Sequence, residues 1–170
     1  MPILHFHLFN IVSSVLPARF HCVRAAVLRQ CGAAIAKNVR LNAAVRVYGG
    51  NIEVGEDTWV SSETVFFTGV GAPVRIGPRC DVGHGASFVT GSHELGGSFR
   101  RAGPGHSQEI VVGAGCWIGA CSVILGGAKI GDGSVVAAGA IVLPGDYPPN
   151  VLLAGVPAVV KKKLPEEEAR

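Results

Sequence analysis

The sequence predicts an all-β chain: a parallel β-helix of triangular cross-section, preceded by a short N-terminal helical segment. Three observations carry that reading. From Val54 onward, bulky apolar anchors recur every sixth position: Val54, Val60 and Phe66, then Ile76, Val82 and Phe88, then Val112, Ile118, Ile124, Ile130, Val136 and Val142. In a chain that is 48% hydrophobic, twelve such hits by chance have odds of roughly 10⁻⁴ before the choice of register is counted. The fifth position of these units is small at Thr58, Thr64, Cys80, Ala86, Ser92, Cys116, Ser122, Ala128, Ser134 and Ala140. The residue after the anchor is small at Gly55, Ser61, Gly77, Gly83, Gly113, Gly119, Gly131 and Ala137, but not at Phe67, Val89, Leu125 and Leu143, each in the third unit of its group. The repeat is therefore 18 residues with three unequal sides. Coils of that kind stack because one coil alone cannot bury its apolar side, and pairs such as Pro78-Arg79 and Asp132-Gly133 have the chemistry of their corners.

The elements follow in order. Residues 1–34 are expected to form a helical arm. Leu4, Leu8, Ile11, Val12 and Val15 have helical spacing, and Pro17 ends that run. A second helix is expected from Ala18 to Cys31, with Phe20, Val23, Val27 and Leu28 on one side and Gly32 as its stop. The first segment is shorter than the roughly 18 apolar residues of a membrane span and lacks the basic start of a signal peptide. Capping of the β-helix or packing on a neighbouring subunit is the leading expectation for the arm, and peripheral membrane contact the second. The β-helix is expected over 35–158 and a C-terminal tail over 159–170.

Beyond the ten-residue step from Phe66 to Ile76, the beat fails once. Continued past His93, it places Glu94, Arg100 and His106 at anchor positions, and these do not bury unpaired in an apolar core. Residues 94–109 are therefore expected to protrude as a loop, a common home for a binding site on a rigid scaffold. His93 stands at its base, where an imidazole is suited to proton transfer near neutral pH.

Composition narrows the function. A net charge of +3 on 170 residues excludes a strongly basic nucleic-acid binder. The five cysteines contain no Cys-x-x-Cys pair, and Cys80 and Cys116, at inward small positions, fit reduced core residues of a cytoplasmic protein. His84, His93 and His106 are spaced nine and thirteen apart, so the His-x4-His pair of the γ-class carbonic anhydrases is missing and no metal is expected.

The runs Gly113-Ala114-Gly115-Cys116-Trp117-Ile118-Gly119, Ile130 to Ala140, Pro148-Pro149-Asn150 and Ala154-Gly155-Val156-Pro157-Ala158 resemble the hexapeptide-repeat acyltransferases. The likeness is to the branch of galactoside, maltose and nodulation-factor O-acetyltransferases and the acetyltransferases of exopolysaccharide biosynthesis. It implies a left-handed coil, a homotrimer with active sites between subunits, and acetyl-CoA as acyl donor. The resemblance places His93 where that branch carries its catalytic base. It places Gly119, Ala120, Ala138 and Gly139 along the donor's pantetheine arm and Trp117 at the acceptor or thioester. Glu94, Arg100 and Arg101 are further candidates for acceptor binding. The chain departs from the family at the nucleotide end: Leu143-Pro144-Gly145-Asp146 replaces the usual Thr-Lys-Asp, and Val159 stands where a basic residue is common. Lys161 and Lys162, with Lys163, are the nearest cations for the phosphates of CoA. The implied activity is O-acetylation of a sugar or glycan precursor in the cytoplasm, including the inner face of the membrane. Virginiamycin-type antibiotic acetylation and a non-catalytic scaffold are the alternatives.

Overall fold

The computed structural model describes the backbone of residues 2–166 and the side chains of 5–166, so Leu4's side chain and the last four residues of the tail lie outside the described residues. The twelve anchors are all buried, at 3% exposure or less. Each coil but the last contributes one short strand to each of three parallel sheets of six, seven and five strands; the last reaches only the first two, and the seventh strand of the second is the antiparallel C-terminal one described below. Partners in register are anchors one coil apart, for example Ile118 with Val82 on one side and Val136 on the other. Phe66 and Phe88 stack inside at 5.1 Å.

The small residues have separate causes. At the fifth position nine of the ten point into the prism and are buried, and the polar ones find carbonyls there: Thr58 Oγ1 donates to Gly77 at 3.0 Å, Ser122 Oγ to Gly119 at 2.8 Å. The Cys80 and Cys116 thiols reach the carbonyls of Gly113 and Gly131 at 3.1 and 3.3 Å. Ser92 is the exception: it is exposed, because the chain has already left the prism. After the anchor, the corner of the next coil presses on the backbone. A Cβ on Gly83 would lie 2.5 Å from the Ala120 nitrogen, and one on Gly119 2.4 Å from that of Ala138.

A full coil precedes the one at which the beat becomes legible. Ile35, Leu41 and Val47 are buried in register with Val54, Val60 and Phe66. The step from Val47 to Val54 is seven residues instead of six, because Gly49 and Gly50, both at positive φ, widen that corner.

Helices close this end. Helix α1 (Pro2–Val15) and helix α2 (His21–Gln30) flank a single 3₁₀ turn at Ala18–Phe20. α1 docks through Phe6, Phe9 and Ser13 and leaves Leu8, Ile11 and Val15 exposed, so the stripe expected to pack faces outward. Asn10 selects that face: its amide donates to the Val47 carbonyl at 3.0 Å and accepts from the Val47 N–H at 2.8 Å, pairing an otherwise open sheet edge. Phe6 lies over Gly50, where no side chain fits. On α2, Arg24 is buried beside Ala25 and Leu28. It donates to the carbonyls of Ser13, Leu16, Pro17 and Ala18, placing a cation at the C-terminus of α1.

At the other end the chain does not run out as a tail from 159. Ala158–Lys163 folds back antiparallel on Val151–Gly155 and becomes the last strand of the second face, covering its edge.

Candidate active site

The expected loop is an ordered hairpin. Gly91–Leu95 pairs antiparallel with Ala102–Ser107, because a long excursion into solvent satisfies its backbone groups best by pairing with itself. Glu94, Arg100 and His106 are all exposed, as charges barred from the core must be. The chain re-enters where it left, the Gln108 N–H donating to the Thr90 carbonyl at 2.9 Å.

His93 sits opposite Gly105 in this hairpin. Its Nδ1 lies 2.9 Å from the carbonyl oxygen of Gly103. A carbonyl only accepts, so Nδ1 carries the proton, and in the neutral ring Nε2 is the atom that holds the lone pair. That is the tautomer a base acting through Nε2 requires. The Nδ1 contact of His93 is thus to backbone, while Glu109 pairs with Arg75 and Asp81 lies on another face. Arg101 reaches back to the Gly96 carbonyl, and Arg100 follows Gly97 in the tip turn.

Trp117 is elsewhere. It belongs to the second face, in an outward row of cross-strand neighbours that runs Arg40, Trp59, Asp81, Trp117, Val135, Leu152, Lys162. Trp59 and Trp117 line a groove of about 450 Å³ with Ser61, Asp81 and Gly83. Three strand spacings, about 14 Å, separate Trp117 from Lys162 along this row, with Val135 and Leu152 between them. The return strand thus brings the basic cluster onto the face that holds the tryptophan.

Beside this row lies a corner column. Gly119 and Ala120 stack on Ala138 and Gly139 of the next coil, and the Gly139 N–H donates to the Ala120 carbonyl at 2.8 Å. The N–H groups of Ala120 and Ala138 donate to no backbone carbonyl among the described residues. They form a pair of fixed donors one coil apart, suited to an acceptor oxygen from outside the chain.

Sequence reading missed a third surface. Tyr48, Phe67, Val89 and Leu125 are cross-strand neighbours on the outside of the third face. Tyr48 and Phe67 stack at 4.8 Å and 9°, both exposed, and line a groove of about 400 Å³ that ends at Gly91. Two residues further along, about 7 Å, is His93. The signal was present: Phe67, Val89 and Leu125 are the places where the small residue after the anchor is replaced by a large one.

In the single chain these pieces group in two. His93, Glu94, Arg100, Arg101 and the aromatic pair belong to the third face and its hairpin. Trp117, Lys162 and the free N–H groups belong to the second face and its far corner. Among the described residues, no group of three or more His, Cys, Asp or Glu side chains is arranged to hold a metal.

Comparisons with known proteins follow the same lines. Residues 109–144 match the family described as bacterial transferase hexapeptide (six repeats). The chain is 32% identical over 146 residues to WcaF of Escherichia coli, assigned as an acetyltransferase of colanic acid biosynthesis, covering 85% of this chain and 77% of that protein. It is 31% identical over 150 residues to the galactoside O-acetyltransferase of Escherichia coli, covering 85% and 70%. It spans 61% of the length of a Saccharomyces cerevisiae relative assigned as an acetyltransferase. A hexapeptide-repeat acetyltransferase of Vibrio cholerae, solved with acetyl-CoA, superposes with a TM-score of 0.85 at 27% identity, covering 97% of this chain and 88% of that one.

Proposed function

The chain belongs to the hexapeptide-repeat acyltransferases, and on that premise we propose that it transfers the acetyl group of acetyl-CoA directly to a hydroxyl of a sugar acceptor, with His93 as general base. The observation that carries the reading is the hydrogen bond from Nδ1 of His93 to the Gly103 carbonyl, which leaves the lone pair of the neutral ring on Nε2.

In this reaction Nε2 removes the hydroxyl proton as the acceptor oxygen attacks the thioester carbonyl. The charge that develops on the carbonyl oxygen is met by a backbone N–H of the corner column, Ala120 being the one nearest Trp117 in sequence. The carbon–sulfur bond then breaks, and the leaving thiolate takes the proton from Nε2. No acyl-enzyme forms, because alignment of the two substrates suffices. The pantetheine arm lies along the row from Trp117 to Leu152, with the Ala138 N–H beside it and the phosphates at Lys162 and Lys161. The sugar's apolar face stacks on Phe67 and Tyr48, and Glu94, Arg100 and Arg101 approach its polar edge.

These surfaces meet between subunits of a homotrimer, where the hairpin of one chain faces the second face of the next. Leu95 and Phe99 on the hairpin are 87% and 104% exposed and Trp117 is 59% exposed, which supports a neighbour covering them. The donor reading is tested by calorimetry with acetyl-CoA, and the acceptor by thiol release over a panel of free sugars and glycosides. Saturable acetyl-CoA binding with sugar-dependent thiol release is the expected result. Absence of acetyl-CoA binding overturns the reading.

A further inference from the structure

We propose that the helical end of the molecule is a docking surface for an anionic phospholipid bilayer. Three independent features of this end converge. The first is apolar: Leu8, Ile11 and Val15 form one stripe along α1, opposite the face that docks through Phe6 and Phe9, and are 57%, 62% and 77% exposed. The stripe is about 10 Å long. Helix α1 holds no charged residue other than histidine along its whole length. Val23 on α2 adds to the exposed surface, and between the helices runs a trough of about 540 Å³ lined by Leu8, Cys22, Val23, Ala26 and Val27 with few polar groups.

The second feature is charge. Six of the fifteen Lys and Arg residues precede Glu53, the first acidic residue in the chain. The stretch before Glu53 thus carries six positive charges and no negative one, while the coil stacked on it carries Glu53, Glu56, Asp57 and Glu63 and the whole chain carries +3. Arg24 is buried, but Arg19, Arg29, Lys37, Arg40 and Arg46 are exposed on the helices and the first coil. An apolar helix face set among cations is the composition of an element lying in the plane of a negatively charged membrane surface. A second copy docked end to end on this surface would set like charges against each other. Among the described residues no helix is long and apolar enough to cross a membrane, so the contact is peripheral.

The third feature is position. α1 docks on the third face at strand Arg46–Tyr48, and that sheet continues through Val65–Phe67 to Ser87–Val89, from which the His93 hairpin departs. Two strand spacings, about 10 Å, separate Arg46–Tyr48, the strand on which the helix docks, from that last strand. The bilayer therefore lies on the Tyr48 and Phe67 side of His93. That last point rests on the acetyl-transfer reading and extends it to an acceptor borne on the membrane surface. The docking itself does not depend on it.

The test is co-sedimentation of the full chain with phosphatidylcholine vesicles, with and without phosphatidylglycerol. Binding that requires phosphatidylglycerol and weakens with added salt is expected. Replacing Ile11→Asp together with Val15→Asp, both exposed positions, should lower partitioning about tenfold or more with an unchanged circular-dichroism melt. Arg19→Gln should lower it about fivefold. If the double variant does not fold, the lipid and salt dependence of the wild-type chain and the Arg19→Gln effect decide the matter. Failure to bind either vesicle overturns the proposal, as does equal binding to both. An assembly that dissociates with Ile11→Asp while vesicle binding is unchanged assigns the stripe to a second copy and also overturns it. Vesicle binding without acetyl-CoA binding leaves the docking standing and removes only the catalytic reading.

Discussion

The stacked coils and the hairpin at Gly91–Ser107 come from adjoining stretches of one chain but are held by different forces. In the coils every anchor is buried and each inner strand is flanked by the coils above and below. In the hairpin no residue from Gly91 to Leu95 is buried, and cohesion comes from a two-stranded ladder with a bulge between His93 and Leu95. An isolated two-stranded ribbon is marginal in water, so this one depends on the rigid coils that fix both its ends. The difference teaches a division of labour. The prism holds fixed N–H groups, those of Ala120 and Ala138, while the proposed base sits on a hairpin that leaves it.

Substitutions can break this comparison at either side. His93→Ala should lower turnover by about 10²–10⁴-fold and leave the melting temperature unchanged. Equal turnover in steady-state assays would remove the base from the hairpin. Phe88→Ala, inside the prism, should have the opposite signature: a loss of about 3–5 kcal/mol in denaturant unfolding through the cavity beneath Phe66. A loss well below that would mean the coils repack freely.

Ala120→Pro sharpens the role of the prism. Pro78 and Pro149 occupy the same turn position on the other corner column, and Arg79, Cys121 and Asn150, which follow these positions, share φ values of 54–56°. Proline therefore fits this turn while removing the N–H. The expected result is a fall in kcat of about 10²–10³ with the fold intact by circular dichroism; an unchanged kcat would take the oxyanion donor away from this corner. Lys162→Ala should raise the KM for acetyl-CoA about tenfold and leave the acceptor KM alone. The smallest effect is on the third face: Phe67→Ala should raise the acceptor KM about fivefold, the worth of one aromatic stacking contact.

Much of the prism was legible because burial repeats with a short period. The first coil falls within the expected span from 35, but its anchors Ile35, Leu41 and Val47 were not part of the beat, since one extra residue at Gly49-Gly50 shifts their register before Val54. His93 was legible as the last residue before the beat fails, but its partner was not. Gly103 has no side chain to draw notice, and only pairing of the hairpin brings its carbonyl to Nδ1. Trp117 was legible as a motif residue. Its alignment with Lys162, 45 positions later, required the chain to reverse at Gly155–Ala158. Tyr48 and Phe67 were overlooked because an outward aromatic on a strand interrupts a pattern that was being read for small residues.

By itself the sequence determined a three-sided coil, its inward residues, the place where it opens and a helical cap, because each depends on local periodicity and on the cost of burying charge. The tertiary structure decided which face of α1 docks. Both faces are apolar, and the choice rests on Asn10 meeting the edge at Val47 and on Gly50 leaving room for Phe6. It also decided the backbone partner of His93, the row from Trp117 to Lys162 and the placing of His93 on the hairpin, away from the corner of the Ala120 and Ala138 N–H groups. These are relations between residues far apart in the chain, and they exist only once the coils have stacked.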